Sequence, residues 1–153
     1  MNINFRNAIP KDEDELFDLS AKLSTSFKLN KTDFTRIYHE VLNNKDADLF
    51  VAEMETGIIG YVLGFHHSTF YANGIISWVE ELFVLEDYRG QSVGKNLMVL
   101  IEEKAADRGS KLVALATRRA SDFYKAIGYD ESAVYFKKTL PRADEAGYDS
   151  IMT

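Results

Sequence analysis

The chain reads as an α/β protein, a mixed sheet with helices on both faces (an α+β mixed sheet), and three features of its sequence carry that expectation. Alternating or continuous apolar runs such as Ile58-Ile59-Gly60-Tyr61-Val62-Leu63-Gly64-Phe65 have the length and period of strands. Between them lie segments whose apolar residues recur every three or four positions, the period of an amphipathic helix. The only two prolines, Pro10 and Pro141, stand near the ends, so no ring interrupts either kind of segment.

Taken in order, the elements give β-α-α-β-β-β-α-β-α-β. A short strand over Ile3 to Asn7 precedes Asp12, Glu13, Asp14 and Glu15, acids suited to the positive end of a helix that carries Leu16, Leu19 and Leu23 on one stripe. Phe34, Ile37, Tyr38, Val41 and Leu42 mark a second helix from about Thr32 to Asn43. Leu49 to Ala52 and Ile58 to Phe65 flank Glu55-Thr56-Gly57 as a hairpin, and the turn Ala72-Asn73-Gly74 leads to a strand over Ile75 to Val84. A helix from about Ser92 to Arg108 places Val93, Leu97, Leu100, Ile101 and Ala105 on one face and stops at Gly109. Leu112 to Ala116 is a short buried strand. A brief helix over Arg119 to Ile127 ends at Gly128, and a last alternating strand covers Ala133 to Lys138.

Length and composition narrow the function. With 153 residues the chain suits one domain over 1–140 followed by a tail, 141–153. Its 46% hydrophobic and 27% charged residues are those of a packed globular protein, not of a disordered or fibrous one. The absence of cysteine removes disulfides, thiolate metal sites and a cysteine nucleophile together. A net charge of −6, from 24 acidic and 18 basic residues, opposes nucleic-acid binding and favours a cationic small molecule. No basic and apolar leader opens the chain, and no apolar run approaches the roughly 20 residues of a membrane span. The cytoplasm is therefore the expected location, with no membrane partner.

The chemistry-bearing segment is Leu85-Glu86-Asp87-Tyr88-Arg89-Gly90-Gln91-Ser92-Val93-Gly94-Lys95, between the strand Trp78 to Val84 and the following helix. A glycine-containing loop that opens a helix presents unpaired N–H groups, backed by a positive dipole end, to an anion such as a phosphate. A tight turn with close helix packing explains Gly90 and Gly94 equally well. The loop is not a Walker A motif, since three residues rather than four separate the glycines and Asn96 stands in place of a magnesium-binding Ser or Thr. No Gly-x-Gly-x-x-Gly fingerprint occurs.

In context the loop resembles the pyrophosphate-binding loop of the GNAT superfamily of acyl-CoA N-acyltransferases, Arg/Gln-x-x-Gly-x-Gly/Ala at a strand-to-helix junction. Arg89 and Gly94 match, while Ser92 replaces the first glycine; a serine takes a left-handed conformation less readily, but it can cap the helix entrance. Asp122-Phe123-Tyr124-Lys125-Ala126-Ile127-Gly128-Tyr129 resembles the Phe-Tyr-x-x-x-Gly-Phe/Tyr segment of the same family. The likeness spans residues 3 to about 138. Thr117 departs from it, standing where many members carry an asparagine that contacts the cofactor.

The resemblance implies a GNAT-like fold and transfer of an acetyl group from acetyl-CoA, as co-substrate, directly to a primary amine. By it, Leu82, Phe83 and Val84 offer backbone groups to the pantetheine arm, Arg89, Gly90, Gln91, Ser92, Val93, Gly94 and Lys95 wrap the pyrophosphate, and Thr117 meets the cofactor. Tyr124 is expected to protonate the departing thiolate and Glu80 to take the amine's proton. Strand alternation sets Glu80 with Trp78, Leu82 and Val84 and Glu81 on the opposite face, so one of the two faces the cleft, and Glu80 is favoured. A small-molecule amine is the expected acceptor, with a protein amine and a homodimer also among the family's partners. A non-catalytic acyl-CoA sensor of the same fold is the alternative function.

Other polar groups are weaker candidates. His66 and His67 are strand neighbours that point to opposite faces, which disfavours a metal pair, and no metal is expected. Arg118 and Arg119 suit either the cofactor's 3′-phosphate or solvent. Tyr61, Phe65, Phe70, Tyr71 and Trp78 suit either an acceptor pocket or the core.

Overall fold

The computed structural model describes residues 2–141. The chain packs as two units, the first ending at Thr117 and the second beginning at Arg118. Of the expected tail, 141–153, residues 142–153 lie outside the described residues.

The first unit is built on a five-stranded sheet in the spatial order β1 (Asn4–Asn7), β2 (Ala47–Met54), β3 (Gly57–Thr69), β4 (Gly74–Val84) and β5 (Val113–Leu115). β1 to β4 are antiparallel in turn, and β4 pairs with β5 in parallel, so the sheet is mixed. Around it lie α1 (Glu13–Leu23), α2 (Lys31–Leu42) and α3 (Val93–Asp107). Each begins near its expected position. Asn30 caps α2, its side-chain oxygen accepting from Asp33 N at 3.0 Å, and three acids occupy the first turn of α1.

Strand alternation divides the core. Leu16, Leu19 and Tyr38 from the first two helices pack with Val51 and Tyr61 on one sheet face. The other face receives α3 through Val93, Leu97, Met98, Ile101 and Ala105. Two glycines permit that approach: a Cβ at Gly60 would lie 2.9 Å from Phe83 O and 3.4 Å from Leu97 Cδ1, and one at Gly64 would lie 3.0 Å from Ile101 Cδ1. Arg6 clamps the β1 edge by paired bonds to Asp12 (2.7 and 2.9 Å) and Glu53 (3.1 and 2.9 Å). Burial would raise the Asp12 carboxyl, but the Arg6 hydrogen bonds and the Ile9 amide win and hold it below its ordinary value.

The second unit contains α4 (Ser121–Ala126), shorter than the expected 119–127, and Ala120 at its start supplies no side-chain cap. Gly128, at φ +103°, ends it as expected. The strand expected over Ala133 to Lys138 is not formed. Its residues lie outside any ladder, with Val134, Tyr135 and Phe136 at 79%, 63% and 86% exposure. Alternation shows that a segment could bury one face, but a strand also requires a neighbour's ladder.

Candidate active site

Three local features of the first unit meet on β4. The first is the loop beyond it. β4 ends at Val84, and a 3-10 turn over Glu86–Tyr88 reverses the chain. Arg89 then extends, Gly90 takes φ +77° and Ser92 takes φ 66°, ψ 12°, so two left-handed residues close together swing the backbone into α3. Ser92 stands at the helix entrance and its carbonyl accepts from Asn96 N at 3.0 Å, but its side chain makes no capping bond, contrary to the cap expected of it. Val93 is buried and anchors the first turn, leaving the leading amides of Val93, Gly94 and Lys95 without intrahelical acceptors at the positive end of a 15-residue helix. Arg89 fastens the loop to the strand: its Nε donates to Val84 O at 2.9 Å, and its guanidinium lies 5.5 Å from the Phe83 ring centre.

The second feature is an open strand edge. β5 pairs with β4 only at Ser77, Trp78 and Val79, so beyond Val79 the β5 side of Leu82, Phe83 and Val84 has no ladder among the described residues. Such an edge can accept an extended amide-bearing chain as an added strand. Thr117, exposed, lies two residues past the end of β5.

The third is a β-bulge. Gly64 opposes Val79 and Leu63 opposes Glu81, so Glu80 is the extra residue of β4. The bulge corrects the alternation expected from sequence: Trp78 and Glu81 share one face, with Tyr61, Leu63 and Phe83, while Leu82 and Val84 share the other. Glu80 is exposed. Glu81 instead accepts a hydrogen bond from the Tyr61 hydroxyl at 2.6 Å and lines a cavity of about 520 Å³ between the sheet and the first two helices. The cavity wall is mainly apolar, with Leu16, Leu23, Phe34, Ile37, Val41 and Leu63 prominent.

Burial raises the Glu81 carboxyl above its ordinary value, the Glu80 charge adding to the effect and the Tyr61 hydrogen bond opposing it. Tyr61 is driven well above the usual phenol range by burial first and by Glu81 second, so it stays a donor. Of the other aromatic candidates, Phe70 and Tyr71 stand exposed on the β3–β4 turn, and Phe65 and Trp78 pair across the two strands outside the cavity wall. Sequence reasoning weighed the two acids as alternatives but missed the Tyr61 partner and the enclosure of Glu81 by the helices. A bulge carries no sequence signal here, whereas the helical stripes did name the residues that form the wall.

His66 and His67 do point apart. His67 is exposed, while His66 is buried with Nδ1 2.6 Å from Ser77 Oγ and Nε2 2.7 Å from Asp48 Oδ2. Ser77 continues to Ser110 Oγ at 2.7 Å. The set has the composition of an acid-base-nucleophile relay, but Ser77 is 0% exposed, so no substrate reaches it and the network fastens β2, β3 and β4 together. Among the described residues no cluster of three or more potential metal ligands occurs.

In the second unit Tyr124 packs edge-on against Phe123 (4.9 Å) and Tyr129 (5.9 Å), and burial pushes its phenol up to about 12. Arg118 and Arg119 are exposed.

Comparison with known proteins shows the family. Residues 45–131 match the family model of the acetyltransferase (GNAT) domain. An aminoalkylphosphonate N-acetyltransferase from Salmonella typhimurium is 30% identical, over 88% of this chain and 90% of that one. Among solved structures, glucosamine-6-phosphate N-acetyltransferase from Arabidopsis thaliana superposes with a TM-score of 0.82 at 20% identity, covering 92% of this chain and 100% of that one. A predicted acetyltransferase from Clostridium acetobutylicum, solved with acetyl-CoA, superposes with a TM-score of 0.78 at 17% identity, covering 91% and 97%. The chain thus belongs to the GNAT acetyltransferase family and is an acyltransferase.

Proposed function

We propose that the protein transfers an acetyl group from acetyl-CoA directly to the primary amine of a small molecule in the cytoplasm, through one catalytic domain, 1–140. The observation that carries this reading is the juxtaposition on β4 of an open edge, an anion-ready loop and a half-buried carboxylate in a cavity. The fit to acetyl-CoA is local and physical. The left-handed turns at Gly90 and Ser92 lead directly into the leading amides of α3, those of Val93, Gly94 and Lys95, with Gln91 and Arg89 in the same loop, which suits a pyrophosphate. Leu82, Phe83 and Val84 suit the amide-bearing pantetheine arm, and Thr117 stays assigned to the same co-substrate.

Acetyl-CoA supplies an electrophilic thioester carbonyl. The acceptor nitrogen forms the new C–N bond as the C–S bond breaks, and it must shed a proton first, because an alkylammonium with a pKa of about 10.4 has no free lone pair. We assign that proton to Glu81, directly or through a water, in place of Glu80. Its raised pKa brings it nearer the task, and Tyr61 holds its orientation. Glu80, one residue away, acts only through its charge.

The leaving thiolate needs a hydrogen-bond donor, a role that the family resemblance gives to Tyr124. A phenol at about 12 is protonated at neutral pH, but it is a weaker acid than a thiol of pKa about 8.5. Outright transfer from Tyr124 to sulfur is therefore uphill unless the phenol regains a proton, and Tyr124 serves as a donor that stabilises charge on sulfur or relays a proton to it.

Coenzyme A release by the purified protein against a panel of amines, peptides included, tests the reading. Turnover of a free amine, with Glu81→Gln slowing it at neutral pH and less so at high pH, supports it. Acetyl-CoA binding without release against any amine would instead leave a non-catalytic acyl-CoA binder.

A further inference from the structure

We propose that the acceptor is a compact apolar primary monoamine, an alkylamine or arylalkylamine with no second charged group, and that its hydrocarbon part occupies the cavity between α1, α2 and the sheet. The inference rests on the acetyl-transfer reading and names the substrate class of that same site.

The cavity has the Glu81 carboxylate on its β4 side and a mainly apolar wall elsewhere, broken by Ser20, Ser24, Lys28, Asn30 and Asp33. Glu81 lies on β4, the strand whose open edge is offered to the thioester arm, and it faces the cavity because of the bulge at Glu80. Tyr61, its hydroxyl donating to Glu81 Oε1 at 2.6 Å, leaves the second carboxylate oxygen for an ammonium or a bridging water. An ammonium there is matched in charge, and its partner is already desolvated. The wall that would surround the rest of the molecule is Leu16, Leu23, Phe34, Val41, Leu49 and Leu63.

Charge decides against the alternatives. Among the described lining residues the ionisable groups besides Glu81 and the two tyrosines are Asp33, which is ion-paired with Arg36 at 3.6 Å, and Lys28; both are exposed. A carboxylate or phosphonate on the acceptor would have to sit among aliphatic side chains near Glu81, with no buried cation to meet it, and a desolvated like charge is strongly disfavoured. A polyamine would place its second ammonium against the same apolar wall, where the other lining carboxylate, Asp33, is exposed and paired with Arg36. The volume of about 520 Å³ suits a small molecule rather than a protein segment.

The test is acetylation of n-hexylamine and 2-phenylethylamine measured beside spermidine, lysine and 2-aminoethylphosphonate at equal acetyl-CoA, with coenzyme A release as the readout. The apolar monoamines are expected to exceed the other three in kcat/KM by about a hundredfold or more. A second arm uses Ile37→Glu. Ile37 is 44% exposed at the cavity rim, so the change leaves the fold intact. It should raise KM for the apolar monoamines about tenfold while KM for acetyl-CoA stays unchanged. Preferred turnover of spermidine, lysine or the phosphonate overturns this inference and leaves the acetyl-transfer reading standing. An unchanged KM for hexylamine in Ile37→Glu also overturns it. Binding of acetyl-CoA with turnover of no amine overturns both.

Discussion

Ser92 offers the sharpest test of the loop, because the structure puts a residue with a Cβ where the backbone is left-handed. At φ 66°, ψ 12° an L-residue loses about 1–2 kcal/mol to contact between Cβ and the carbonyl oxygen. Glycine at that position relieves the contact but gains about 0.4–1 kcal/mol of extra freedom in the unfolded chain. The difference favours Ser92→Gly by about 0.5–1 kcal/mol, a rise in Tm of roughly 1–4 °C for a chain of this size. The serine side chain makes no capping hydrogen bond, so the usual loss of about 1 kcal/mol on removing a helix cap does not apply. Ser92→Ala separates the two effects: it keeps the Cβ, and its stability should stay within about 0.5 kcal/mol of the parent. Urea unfolding of the three proteins reads both, and calorimetry with acetyl-CoA should show affinity preserved in Ser92→Gly, since the backbone path is unchanged. A Ser92→Gly protein less stable than the parent, or a Ser92→Ala protein about 1 kcal/mol weaker, would refute the argument.

The remaining predictions concern β4 and its surroundings. Gly94→Glu adds an anion to the first turn of α3, where it favours the helix by about 0.3–1 kcal/mol, yet it repels a pyrophosphate. Thermal stability should hold while acetyl-CoA affinity falls on the order of a hundredfold by calorimetry; unchanged affinity would remove the loop from the site. Gly60→Ala drives a methyl to within 2.9 Å of Phe83 O and should cost about 1–3 kcal/mol in urea unfolding, since backbone rather than a flexible side-chain tip must move. Glu81→Gln reverses the usual carboxylate effect. The folded carboxyl is raised above 4.5, so the folded state binds the proton more tightly than the unfolded one, and wild-type stability falls as pH rises through that window. The variant should be more stable at pH 7, with the gap closing as the pH falls below the ordinary carboxylate range; a gap independent of pH would mean that Glu81 ionises without cost.

Much of this was legible in the sequence because hydrophobic period and length are local properties. The stripe Leu16-Leu19 fixed α1, Tyr38 and its neighbours fixed α2, and the glycine stops at Gly109 and Gly128 ended their helices as expected. Where an outcome depends on a partner, local pattern was insufficient. The alternation of Ala133 to Lys138 was read correctly as a pattern, but a strand needs a ladder that its own residues do not contain. The faces expected for Glu80 and Glu81 differ from those observed for a related reason: counting by twos along β4 assumes that β3 keeps step, and the pairing slips between Leu63 and Gly64. Tyr61 stands among the aromatic candidates, yet its bond to Glu81 spans 20 positions and depends on which acid the β3 pairing sets opposite Leu63.

The bulge at Glu80 joins two of the three features of the site. Pairing of β4 with β5 stops at Val79, immediately before the extra residue, and the orientation of Glu81 is set immediately after it. An extra residue bends and twists its strand, which turns the end of β4 away from β5 and keeps the edge of Leu82 to Val84 open. The two consequences are separable. Because Leu63 opposes Glu81 and Gly64 opposes Val79, removing Glu80 leaves every β3–β4 pair in register and Glu81 still beside Tyr61. It does remove the bend. The deletion should therefore fold with Tm close to that of the parent, and β5 pairing should extend past Val79 to close the edge. Acetyl-CoA affinity is then expected to fall by about tenfold or more, while the Tyr61–Glu81 hydrogen bond survives. A folded deletion that binds acetyl-CoA as tightly as the parent would show that the open edge does not depend on the bulge.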